Sequence, residues 1–83
     1  RWEAVFLMAK LWQRRGNMTR AQKYYEQYYD ARPSNALELI ESAYWVAKID
    51  QDRHRMADAE KWFKKVIYQQ KHLSTKAHPR AMD

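Results

Sequence analysis

Apolar side chains return along this chain at helical intervals, in four blocks separated by short polar joints. Between Trp2 and Arg15 the series Val5, Met8, Ala9 and Trp12 has the three-and-four spacing of an amphipathic helix, with Leu7 and Leu11 widening the stripe. Gly16-Asn17 predicts its end, because glycine enters the left-handed region without steric cost, and Thr19 is placed to cap the next helix. A second helix is predicted over 20–32, carried by Ala21, Tyr25, Tyr28 and Tyr29, and Pro33-Ser34-Asn35 stops it. The third is predicted over 36–53 on Leu39, Ile40, Ala43, Val46, Ala47 and Asp50, with Ser34 or Asn35 as its cap. His54-Arg55 then forms a turn expected to be less sharply fixed than the one at Gly16. The fourth helix, over 56–72, is expected to bury Ala59, Phe63, Val66 and Ile67. The stretch 74–83 lacks an apolar face and contains Pro79, so it reads as a frayed tail or the start of a truncated further unit.

The blocks are not independent. Shifting the chain by thirty-eight residues superposes Glu3 on Glu41, Ala9 on Ala47, Lys10 on Lys48, Gln13 on Gln51, Arg15 on Arg53, Met18 on Met56, Ala21 on Ala59 and Lys23 on Lys61. Like-for-like pairs fall between them, among them Phe6 with Tyr44, Leu11 with Ile49, and Tyr25 with Phe63. A period of this size is the mark of stacked helical repeats. The expected architecture is all-α: a first unit over 1–35 and an extended second unit over 36–73, each an antiparallel helix-turn-helix hairpin. Two such units fall short of the usual minimum of three, so neighbours are expected, either more chain or a second copy. An Arg at position 1 suggests an excerpt or a processed product.

Composition narrows the function classes. Apolar residues make up 46% of the chain against one Gly and two Pro, which fits a folded helical domain and not a disordered segment. There is no cysteine, which removes disulfides and thiolate metal sites. The longest apolar run, 4–9, is too short to cross a bilayer, so membrane insertion is not expected. A net charge of +6 favours solubility and non-specific attraction to anions, but the cations are spread among acidic and polar neighbours. His54, His72 and His78 stand apart from one another, and neither metal-ligand spacing, a phosphate-binding glycine loop nor a nucleophile motif is present. Neither catalysis nor a cofactor is expected.

The first unit resembles a tetratricopeptide repeat. Glu3-Ala4, Gly16, Ala21, Tyr24-Tyr25, Pro33 and Asn35 fall where that family's favoured residues fall, and Trp12 takes the place of a favoured tyrosine. The second unit is similar through Ala47, Ala59, Trp62-Phe63 and Ile67, with four additional residues, while Tyr28, Val66 and His54 depart from the pattern. The likeness covers about 3–70 and implies a right-handed α-solenoid whose first helices line a binding groove. The run 59–67 also looks like repeats of bacterial cell-envelope assembly proteins, which implies a periplasmic or envelope location.

The groove implied by this resemblance is lined by Glu3, Phe6, Lys10, Gln13 and Arg14, then by Glu41, Tyr44, Lys48, Gln51 and Asp52. Stacking is expected to set Phe6 beside Tyr44 and Lys10 beside Lys48, a surface suited to an extended or helical peptide with an acidic group and an apolar anchor. The expected function is therefore a protein-interaction scaffold. Two alternatives stay open: nucleic-acid binding through the basic surface and exposed rings, and a purely structural or self-associating unit with Trp2, Tyr24 and Trp62 as contacts.

Overall fold

Asparagine starts two of the helices. In the computed structural model, which describes residues 1–77, Asn17 accepts from the Arg20 amide and opens α2 (Met18–Asp30), and Asn35 accepts from the Glu38 amide and opens α3 (Ala36–Asp52). α1 is Trp2–Arg14 and α4 is Met56–Ala77, so the described chain is all-α. The cap of α2 is thus Asn17 and not Thr19, whose hydroxyl instead accepts from Arg53. α3 exceeds α1 by four residues, 17 against 13, in keeping with the longer second unit.

The two tight turns share one geometry. Gly16 and His54 both take positive φ, 85° and 62°. The Gly16 and Asn17 amides close on the Gln13 and Trp12 carbonyls, and the His54 and Arg55 amides close on those of Gln51 and Asp50. These are the paired reverse bonds of a Schellman ending, thirty-eight residues apart. The second turn is therefore as sharply closed as the first, against the looser turn expected there; its hydrogen bonds hold His54 where glycine would rest without strain.

Each short turn folds a helix back on its predecessor, giving hairpins α1–α2 and α3–α4 that meet through α2 and α3. Small residues set the spacing: Ala9, Ala21, Ala43 and Ala47 are fully buried, allowing helix backbones to approach where larger groups would wedge them apart. Around them pack Phe6, Tyr25, Tyr28, Tyr29, Leu39, Val46, Ile49 and Trp62.

The structure corrects three further expectations. Leu7, Met8 and Leu11 on α1 and Ile67 on α4 are exposed, because among the described residues the first and last helices each have one side with no neighbour. Trp62 is buried edge-on against Tyr29 at 5.3 Å, since α2 reaches across the hairpin boundary, and it offers no surface for self-association. The segment 74–77 continues α4, because nothing before Pro79 breaks a helix. The rest of the expected tail, 78–83, lies outside the described residues.

Candidate functional site

Side-chain direction comes from helical geometry. At about 100° per residue, Glu41, Trp45 and Ile49 share the side of α3 that meets α1, while Leu39, Ser42, Val46 and Asp50 share the side under α2. The remaining solvent-facing strip carries Tyr44, Lys48, Gln51 and Asp52. On α1 the corresponding open surface carries Glu3, Leu7, Leu11 and Arg14.

At the centre, Lys10 donates to Glu41 Oε2, which also accepts from Trp45 Nε1 at 3.1 Å. Burial pushes the Glu41 carboxyl up, but these two hydrogen bonds and the lysine charge outweigh it and hold its pKa below the ordinary carboxylate value. The Lys10 ammonium also lies 5.3 Å from the Phe6 ring centroid. Lys48, by contrast, donates to Gln51 at 3.3 Å on its own helix.

Two of the expected adjacencies do not form. Lys10 meets Glu41 and not Lys48, because the faces that α1 and α3 turn to each other are different faces of equivalent helices; opposite charges therefore meet. Phe6 is 5% exposed and packs on Tyr25 and Tyr28 at 6.0 and 5.1 Å, while Tyr44 is 39% exposed and packs edge-on against Trp45 and Phe63. Phe6 is thus core and leaves the groove. Gln13 turns inward to accept from the Tyr25 hydroxyl, whose pKa is raised by burial and by the nearby Glu41 charge. Glu3, Arg14, Tyr44, Gln51 and Asp52 stay exposed, and Lys10, Glu41 and Lys48 are half-buried. Trp2 is exposed and Tyr24 half-buried.

Leu7, Leu11 and Trp45 belong to this surface as well, although the expected groove does not include them. Leu7 and Leu11, with Lys10 and Arg14, line a shallow cleft of about 290 Å³. Trp45 and Lys48, with Gln13 and Asp52, help to line a smaller one of about 100 Å³. The repeat itself carries the signal for them: Leu7 aligns with Trp45, and both are large and apolar beside the charged positions 3 and 41.

Behind the groove, a polar cluster joins the hairpins. Gln22 donates to Asp50 Oδ1 at 2.8 Å and to the Val46 carbonyl at 3.2 Å. Arg55 donates to Asp50 at 3.0 Å and to Gln22 Oε1 at 3.1 Å, closing a ring of three side chains. The buried Asp50 charge is thereby paired and hydrogen-bonded, as burial requires.

The basic surface is partly engaged. Lys64 pairs with Glu60 at 3.6 Å, and Lys65 lies over the rings of Tyr29 and Trp62. Among the described residues no three His, Cys, Asp or Glu side chains gather as a metal would need, and no helix is long and apolar enough to cross a membrane. A further cleft of about 500 Å³ lies between the start of α3 and the later turns of α4, lined by Pro33, Ser34, Leu39, Gln69, His72 and Leu73.

Set against protein-family models, curated proteins and solved structures, the chain matches none of them.

Proposed function

We propose that this chain is a protein-interaction module of tetratricopeptide-like units that binds a peptide or helix along the open strip of α1 and α3. The observation that carries this reading is the arrangement around the Lys10–Glu41 pair, where exposed apolar groups flank fixed charges on both first helices. Leu7 and Leu11 offer one apolar patch and Tyr44 a second, with the cations Arg14 and Lys48 beside them. Apolar anchors with a charged rim are what peptide recognition uses. The matched turns and the buried alanine pairs support the repeat reading beneath it.

Because Lys10 is neutralised by Glu41, recognition of an acidic group falls to Lys48 and Arg14. Nucleic-acid binding draws less support, since Lys64 and Lys65 of the basic stretch are engaged, one with Glu60 and the other over the rings of Tyr29 and Trp62, which are themselves buried. The test is selection of peptides from a displayed random library against the whole chain. Selected peptides should contain an apolar residue near a carboxylate, and should lose binding to the Tyr44→Ala and Lys48→Glu variants but not to Lys64→Glu. Peptides that bind all three variants equally would remove the groove from consideration.

A further inference from the structure

Among the described residues two faces are open, and the repeat states what each is shaped to meet. On α1 the exposed Met8 and Leu11 are the equivalents of Val46 and Ile49 on α3. Met8 is 38% exposed where Val46 is fully covered, and Leu11 is 48% exposed where Ile49 is 4%. The residue types match; the difference is that the first hairpin lies against α3, while among the described residues nothing lies against the outer side of α1. At the other end, Met56 and Ile67 on α4 are exposed where their equivalents on α2, Met18 and Tyr29, are half-buried and buried.

Charge fits the same junction. Inside the chain, Lys10 of the first hairpin donates to Glu41 of the second. Their equivalents are Lys48 and Glu3, both on the open faces: Lys48 on the strip of the second hairpin, Glu3 on the exposed side of α1, where the Arg1 amino group contacts it at 3.0 Å. Arg15, equivalent to the Arg53 that binds Thr19 across the internal junction, would face the first turns of α4, which carry Asp58 and Glu60.

We propose that a second copy of this chain docks head to tail, its α3–α4 face against the α1 face of the first, with Lys48 of one copy paired to Glu3 of the next. The contact repeats the internal α2–α3 junction between molecules. It is heterologous, joining two different patches, so it does not close at two copies and extends with concentration. This inference rests on the equivalence of the hairpins and on the exposure of their outer faces; it shares Leu11 and Lys48 with the proposed groove, and Tyr44→Ala, which should abolish peptide binding and leave self-association unchanged, separates the two readings.

Sedimentation and light scattering of the whole chain from micromolar to millimolar concentration test it, with circular dichroism confirming that each variant keeps its helicity. The average mass should rise steadily beyond that of two chains. Leu11→Glu should hold the chain as a monomer, while Glu3→Lys and Lys48→Glu should each weaken association about ten-fold, with recovery in the double variant, where the swapped charges meet again. A mass fixed at one chain, a plateau at two, indifference to Leu11→Glu, or a double variant no better than the singles would each overturn the proposal.

Discussion

The Gln22 amide on α2 and the Asp50 carboxylate on α3 meet at 2.8 Å in the interior, and Arg55 bonds to both. Removing the carboxylate takes one acceptor from each donor, leaving Gln22 only the Val46 carbonyl and Arg55 only Gln22 Oε1. Asp50→Ala should therefore cost about 2 kcal/mol of unfolding free energy, and Asp50→Asn, which keeps the acceptor and loses the charge, roughly half of that. Chemical denaturation of the three proteins at neutral pH measures both values; equal stability of the Ala variant and the native chain would contradict the role assigned to the cluster.

His54 and Gly16 stand in the same turn with opposite chemical suitability. His54 holds φ at 62°, a region costly for a residue with a β-carbon, so His54→Gly should stabilise the chain by about 0.5–1 kcal/mol. Gly16→Ala should destabilise it by about 1 kcal/mol, through backbone strain alone, since a β-carbon there would meet nothing within 4 Å. Thermal melts of the two variants should move in opposite directions.

Acid should act on two glutamates in opposite senses. Glu41 has a lowered pKa, so its contribution is present at neutral pH and is lost as pH falls below the ordinary carboxylate value of 4.5. Glu26 has a raised pKa, from burial first and then from Asp50 and Asp30, so its charge opposes folding at neutral pH and acid relieves that burden. Glu41→Gln should lower stability at pH 7 by about 0.5 kcal/mol, the scale of a solvent-reached ion pair, with the deficit vanishing in acid. Glu26→Gln should raise stability at pH 7, with the gain shrinking as pH falls through the raised value. Melting temperatures of both variants between pH 3 and pH 7 check the two signs.

The fold was legible because its determinants are local and repeated. Helical spacing, Gly16, Pro33 and the alanine pairs each act within a few residues, and the thirty-eight-residue shift ties them together. The surface was less legible because exposure depends on what lies beside a helix, which a single helix does not encode. Leu7 and Leu11 widen the apolar stripe by their spacing, yet they are exposed where their equivalents, Trp45 and Ile49, are half-buried and buried, because among the described residues α1 has no neighbour on that side. Phe6 and Tyr44 are alike in sequence and each packs on the second helix of its hairpin, but Phe6 meets two rings there, Tyr25 and Tyr28, where Tyr44 meets one, Phe63, because Val66 stands in the place of Tyr28. Lys10 found Glu41 because packed helices present unlike faces to each other, so matching positions in two repeats need not touch.

The ring of Gln22, Asp50 and Arg55 has a geometric consequence as well as an energetic one. Apolar contacts tolerate sliding, whereas three directional hydrogen bonds dictate the angle at which one hairpin leans on the next. The shifted counterparts of Gln22 and Asp50 are Glu60 and Trp12, a pair of different size and bonding. Copies stacked end to end would therefore share the contact but not the tilt, and the resulting superhelix would alternate between two pitch angles, one set within each chain and one between chains.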